Sequence, residues 1–207
     1  MCGVLANNGC IYCIPSDYAG SNQILKVDSI NGTVTLLDVR LPEETWTAGL
    51  WTSGAFAIDG CIYFMPSCAN HILKLNPEND SLASVGDHLG DKISKYSGTV
   101  LGKDNCLYGI PDTSKRIVRF NPVVQSISFV GGEARRFFCV GNGTLGRDGC
   151  IYALSHGGYR VIKMMWQTTP TTQLYWKACR HNSLGWFRRY WEVMVVSIGH
   201  RVNPIEH

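Results

Sequence analysis

The segment Gly9-Cys10-Ile11-Tyr12-Cys13-Ile14-Pro15 decides how this 207-residue chain is read, because it returns three times. It reappears as Gly60-Cys61-Ile62-Tyr63-Phe64-Met65-Pro66, as Asn105-Cys106-Leu107-Tyr108-Gly109-Ile110-Pro111 and as Gly149-Cys150-Ile151-Tyr152-Ala153-Leu154-Ser155, with Cys-to-Cys spacings of 51, 45 and 44 residues. A second block follows each copy in the same order: Ile24-Leu25-Lys26-Val27-Asp28, Ile72-Leu73-Lys74-Leu75-Asn76-Pro77, Ile117-Val118-Arg119-Phe120-Asn121-Pro122 and Val161-Ile162-Lys163-Met164. Two blocks kept in order through four copies define a structural repeat of roughly 45 residues.

Each repeat reads as four short strands, and no 3.6-residue periodicity crosses any of them. The first strand is Val4-Leu5-Ala6, Ala55-Phe56-Ala57, Val100-Leu101-Gly102 or Thr144-Leu145-Gly146, entered through Gly3, Gly54, Gly98 or Gly143. It turns into the second through Asn8-Gly9, Asp59-Gly60, Asp104-Asn105 or Asp148-Gly149, pairs that fit a two-residue type I′ hairpin. The Ile-Leu-Lys block is the third strand. The fourth is Thr33–Leu37, Ser81–Val85 or Ser126–Val130. In the second strand Cys10, Tyr12 and Ile14 face one way and Ile11 and Cys13 the other, yet both sets are apolar. A sheet that is apolar on both faces has to be covered on both.

Four-stranded antiparallel units of this length, each buried between two others, are the blades of an all-β propeller. Through the Asp-Gly-Cys-Ile-Tyr and Ile-Leu-Lys-Leu-Asn-Pro blocks, residues 1–164 resemble kelch-type, NHL-like and virginiamycin-lyase-like propeller repeats. The subfamily stays unassigned, because the Gly-Gly pair and spaced Tyr/Trp of true kelch blades are missing. The resemblance implies three complete blades, over about 3–52, 53–96 and 97–141, and a partial one over 142–164, expected to belong to a larger ring.

With 45% apolar and 17% charged residues the composition is globular, and no apolar run approaches the roughly 18 residues of a membrane span. The net charge of +3 is unevenly placed: residues 1–164 carry 14 basic and 14 acidic side chains, whereas residues 165–207 carry 5 and 2. The neutral repeat region gives no ground for expecting an anionic macromolecular partner. After Lys163 the repeat fails, and residues 165–207 hold Trp166, Trp176, Trp186 and Trp191 with an Arg188-Arg189 pair among aromatics. That stretch is expected to be a non-repeat tail, disordered or from a misread gene model, with Thr171–Tyr175 as a degenerate fourth strand. Nucleic-acid binding by the tail is the less favoured alternative. The start Met1-Cys2-Gly3-Val4 lacks a secretory leader pattern, so the expected location is cytoplasmic, with cysteines reduced.

The recurrent residues are expected to be architectural. Cys10, Cys61, Cys106 and Cys150 occupy one position on different blades and read as small buried hydrophobes, not metal ligands. Lys26, Lys74, Arg119 and Lys163 share another strand position. Each repeat except the first also has an Asp in its hairpin (Asp59, Asp104, Asp148); the cations form either an anion-attracting ring or, as is preferred, an intra-blade contact or a solvated edge.

Function is sought instead in what the repeats do not share, on loops at one face. The loops after the Pro positions supply Asp17, His71, Asp112, Arg116, His156 and Arg160, and the long connection from Asp38 to Ser53 supplies Trp46 and Trp51. The two Trp either anchor a partner or pack between blades. No phosphate-cradling Gly loop, nucleophile elbow or H-E-x-x-H motif is present, and no cofactor is implied. The expected role is a binding scaffold that presents this loop face to a protein or a small ligand. The alternative is a metal-dependent lyase or lactonase-like enzyme using the His and Asp of the rim.

Overall fold

The computed structural model describes residues 2–14, 23–37, 49–114, 116–130, 143–154, 161–164, 173–178 and 192–197. Its secondary structure among these residues is entirely β. The first blade consists of β1 (Cys2–Leu5), β2 (Cys10–Ile14), β3 (Ile24–Asp28) and β4 (Thr33–Leu37). The second consists of β5 (Trp51–Phe56), β6 (Ile62–Pro66), β7 (Ile72–Asn76) and β8 (Ser81–Val85), and the third of β9 (Tyr96–Leu101), β10 (Leu107–Pro111), β11 (Ile117–Asn121) and β12 (Ser126–Val130). A three-stranded sheet follows, of β13 (Thr144–Leu145), β14 (Ile151–Leu154) and β15 (Val161–Met164). Each sheet is antiparallel, with its strands in chain order. The first strands β1, β5, β9 and β13 lie side by side, so they line the inside of the arc of blades.

Both faces of the second strands are buried, as their composition requires: all five residues of β6 and all five of β10 are shielded. Tyr12 and Ile14 pack into one core with Ile62, Phe64, Leu73 and Leu75 of the next blade. Tyr63 and Met65 do the same with Leu107, Val118 and Phe120, and Tyr108 and Ile110 with Ile151, Ala153 and Met164. Each blade therefore offers its Tyr-bearing face to the Ile/Leu-bearing face of its successor. The outer strands largely face water, burying their last residues Leu37, Val85 and Val130 and partly burying Leu82 and Ile127. On the first blade the face opposite Tyr12 is solvent-accessible, with Leu5, Val34 and Leu36 all more than half exposed.

Two local expectations are corrected. The first strands begin earlier than the apolar pattern indicates, at Trp51 and Tyr96, so Gly54 and Gly98 lie inside strands and do not open them. Gly54 pairs with Phe64, whose ring occupies the space a Cβ would need. The hairpins are three-residue turns instead of type I′ turns. Gly9 N–H donates to Ala6 C=O, Ala6 N–H donates to Cys10 C=O, and positive φ occurs at Gly9, Gly60, Asn105 and Gly149 but not at the residue before each. That combination is a type I turn followed by a left-handed residue. Asn8, Asp59, Asp104 and Asp148 are present because their Oδ1 accepts the backbone N–H two residues on.

In the expected tail, β16 (Gln173–Ala178) runs beside β15 and pairs with β17 (Glu192–Ser197). The turns between third and fourth strands also need a left-handed residue, met by Gly32, Asp80 and Gln125 at φ of 67°, 55° and 53°. A side chain pays for that conformation in steric strain. Gln125→Gly is accordingly expected to stabilise the fold by about 0.5–1 kcal/mol, read as a raised melting temperature.

Candidate functional site

Two ends of the blades carry polar side chains, and they use them differently. At the hairpin end, a carboxylate, a Tyr hydroxyl and a cation meet in each blade. Asp59 Oδ2 accepts from Tyr63 Oη at 2.7 Å and from Lys74 Nζ at 3.4 Å. Asp104 Oδ2 accepts from Tyr108 Oη at 2.8 Å and from Arg119 Nε and Nη2 at 3.0 and 2.9 Å. Asp148 Oδ2 accepts from Tyr152 Oη at 2.7 Å and from Lys163 Nζ at 2.8 Å. The first blade has Asn8 where the others have Asp, and the missing carboxylate comes from the second blade. Asp80 accepts from Tyr12 Oη at 2.9 Å and from Lys26 Nζ at 2.7 Å. The Lys26, Lys74, Arg119 and Lys163 position is thus engaged by carboxylates within the fold, as its recurrence indicates.

The electrostatics agree with a structural role for this end. Burial raises the Tyr63 and Tyr108 hydroxyls well above the ordinary tyrosine value, and the adjacent carboxylates add to it. Burial also pushes the Cys106 thiol up to about 11, with Asp104 contributing, and raises Cys61 and Cys150 in the same direction. These thiols stay protonated at neutral pH, which removes them as nucleophiles or thiolate ligands in that state.

The opposite end carries the loops after the second strands and the connections that lead into the next blade. Of the sequence-derived candidates, His71, Asp112 and Arg116 lie here. Asp17, Trp46, His156 and Arg160 fall outside the described residues. Trp51 is 1% exposed, packs in the core between the first two blades and donates its indole N–H to His71 C=O at 2.9 Å. It is a packing residue in this structure, not a surface anchor.

Connection 86–95, between β8 and β9, organises this face. Leu89 N–H donates to Asn70 C=O at 2.8 Å and Lys95 N–H to Ser67 C=O at 3.0 Å, which tie it to the second blade. Asp112 and Ser114 N–H groups donate to Lys95 C=O at 2.9 and 3.2 Å, which tie it to the third. The His71 and His88 rings meet edge to face at 5.4 Å. Gly90 N–H donates to His88 Nδ1 at 3.1 Å, and His88 Nε2 lies 3.2 Å from Asp91 Oδ1.

Between this connection and the third blade lies a cleft of about 270 Å3. Its walls include Leu89, Asp91, Lys92, Lys95 and Tyr96 on one side and Ser114, Arg116 and Phe129 on the other. The Arg116 guanidinium sits 5.9 Å from the centre of the Phe129 ring, and Ser114 Oγ reaches Tyr96 Oη at 3.3 Å. Lys95 is only 2% exposed, and its Nζ donates to Lys92 C=O at 2.8 Å.

Of these residues only Arg116 was singled out by its position after a Pro. Lys95, Tyr96, His88 and Phe129 were missed, although one signal for Lys95 is present in the sequence. Leu50 and Lys95 immediately precede equivalent strands, which start at Trp51 and Tyr96, and Leu50 C=O accepts from Ser67 and Ala69 N–H as Lys95 C=O accepts from Asp112 and Ser114 N–H. A lysine therefore replaces a buried leucine in one blade.

No protein-family model and no curated protein sequence matches this chain. Solved structures do. A catalytically inactive virginiamycin B lyase from Staphylococcus aureus with quinupristin superposes with a TM-score of 0.65 at 17% identity, covering 97% of this chain and 70% of that one. The extracellular domain of a one-component-system protein of B. thetaiotaomicron gives 0.62 at 12% identity, over 88% of this chain and 22% of that one. An auxiliary nutrient binding protein from Bacteroides ovatus gives 0.56 at 9% identity, over 78% and 36%. The chain has the propeller-blade fold. At these identities the likeness extends to the fold and no further.

The hairpin-end clamps make acid stability testable. Hydrogen bonds from Lys163 and Tyr152 hold the Asp148 carboxyl well below the ordinary carboxylate range. Burial pushes Asp104 upward, but its bonds from Tyr108 and Arg119 outweigh burial and lower it. A depressed carboxylate stabilises the fold above its unfolded pKa of about 3.9 and loses that contribution as pH falls through the folded value. The melting temperature should therefore drop as pH is lowered from about 4.5 towards 2. An Asp104→Asn/Asp148→Asn variant, less stable at neutral pH, should show a shallower acid limb.

Proposed function

We propose that this chain acts as a binding module whose working surface is the loop face, with the hairpin end serving the fold. One observation carries this reading. Asp–Tyr–Lys/Arg clamps repeat at the hairpin end from blade to blade, whereas the loop face carries His71, His88, Lys95, Asp112 and Arg116 at positions whose residues differ from blade to blade. A feature that all repeats share maintains the repeat, and one present in a single blade is where specificity resides.

The enzymatic alternative needs the loop-face His and Asp residues to converge on a divalent cation. Among the described residues no group of three or more His, Cys, Asp or Glu is placed to hold one, while Asp17 and His156 lie outside them. Structural likeness to a lyase supports the blade architecture shared with that protein and does not bear on chemistry. Partners consistent with the binding reading are a small ligand or a protein segment held at the loop face.

Ligand-observed NMR with a mixed library of charged and neutral fragments tests the assignment on the full chain. Hits are expected to weaken in His71→Ala and Arg116→Gln and to persist in Lys103→Gln at the hairpin end. Absence of any hit sensitive to the two loop-face variants would overturn it. Metal analysis of the purified chain separates the alternative: stoichiometric divalent metal, lost in His71→Ala, would replace the binding reading with the enzymatic one.

A further inference from the structure

Among the described residues, the packing rule that joins the blades leaves one of its two halves uncovered at each end of the array. In the second blade a row of side chains crosses all four strands, Phe56, Ile62, Leu75 and Leu82, and in the third blade the matching row is Leu101, Leu107, Phe120 and Ile127. Each row receives the Tyr-bearing face of the preceding blade. Ile62, Leu75, Leu107 and Phe120 are fully buried there, and the flanking four are partly buried against the same cores. The first blade has this row in the same register, as Leu5, Ile11, Val27 and Val34. Here Leu5 and Val34 are 61% and 62% exposed, and Ile11 and Val27 are only part-buried. The fourth sheet shows the converse. Tyr152 pairs with Thr144 and Lys163 as Tyr12 pairs with Val4 and Lys26. Tyr12, Tyr63 and Tyr108 are fully buried, whereas Tyr152 is part-buried and Thr144 is exposed.

We infer that a second copy of this chain covers the first-blade row, seating its own Tyr152 face on Leu5, Ile11, Val27 and Val34. The contact continues between chains the interface that already joins blades within one. Three mated pairs of faces show that a Tyr-bearing face fits an Ile/Leu row, and the chain carries an open example of each. The Asp148–Tyr152–Lys163 clamp is no obstacle, because Asp59–Tyr63–Lys74 sits on a face that is mated in the second blade. The two surfaces differ, so the contact is heterologous and joins copies head to tail, as a ring where the rotation closes and as an open string where it does not. Strand spacing and rise give one blade face roughly 300 Å2, about the size at which exposed apolar surface marks an interaction site. A contact this small gives concentration-dependent association in place of an obligate complex. Neither surface includes a loop-face residue, so the inference stands apart from the loop-face reading.

Sedimentation velocity of the full chain over a micromolar concentration series tests this. The parent should sediment faster as concentration rises. Val34→Glu on the open row and Thr144→Glu beside Tyr152 should each weaken self-association roughly tenfold or more. Both positions are exposed, so the fold accommodates the charge. Val123→Glu, at a 66%-exposed turn position outside both faces, should leave association unchanged. The deciding arm is a mixture of Val34→Glu with Thr144→Glu, which should form a one-to-one complex because each variant supplies the face that the other lacks. Circular dichroism checks that each variant keeps the parent's β signal, and Leu5→Gln, a milder change on the same row, repeats the first arm. A parent that stays monomeric through the series, or no complex from the mixture of folded variants, would overturn the inference. Self-association of parental strength in Thr144→Glu would mean that first blades meet row to row, and equal loss in Val123→Glu would mean non-specific apolar aggregation. Either result also overturns it.

Discussion

A β-sheet that is apolar on both faces cannot be stable alone, and this constraint organises the molecule. Strands β6 and β10 bury every side chain, so each needs a blade in front and a blade behind. The repeat satisfies that need by matching one kind of face to another: Tyr63 and Met65 of one blade meet Leu107, Val118 and Phe120 of the next. Such an array draws its stability from neighbour contacts as much as from each unit. The accessible Leu5, Val34 and Leu36 on the first blade mark what a face looks like when no described blade covers it.

The same nearest-neighbour logic appears in the polar layer. Three blades close their hairpin with their own carboxylate, and the first borrows Asp80 from the second. Asn8 retains the turn-forming role of Asp through its Oδ1, and its Nδ2 reaches Pro77 C=O at 3.0 Å on that neighbouring blade. An Asp-to-Asn change that would empty an isolated clamp instead becomes a joint between blades. The side chain performs three tasks in the other blades, accepting from a backbone N–H, a Tyr hydroxyl and a cation. Its recurrence therefore needs no ligand.

With the hairpin end committed to the fold, the asymmetry of the other end acquires meaning. Connection 86–95 bridges two blades by backbone hydrogen bonds, and this fixes the positions of His88 and Lys95 beside groups from loops far away in the chain. A cleft assembled in this way takes its walls from a connection, a loop and an outer strand of three different chain segments.

The blade architecture was legible because it rests on short-range patterns: the alternation in Cys10–Ile14, the Asx residue within each hairpin turn and the recurrence of both blocks in one order are all read directly from the sequence. The turn type was misjudged because Asn-Gly and Asp-Gly pairs serve two hairpin classes, and the hydrogen bond from Gly9 to Ala6 distinguishes them only in three dimensions. Trp51 was left between two readings because a Trp beside a loop has no intrinsic facing; the start of β5 and the carbonyl of His71 placed it inside. The sequence by itself determined that four similar units must cover one another, since burying both faces of a strand is demanded by its composition. Only the tertiary structure decided where the blades differ in a useful way. Lys95, Arg116 and Phe129 are separated along the chain and line one cleft through the successive pairing of β9, β10, β11 and β12 and the loop bonds that hold the connection against them.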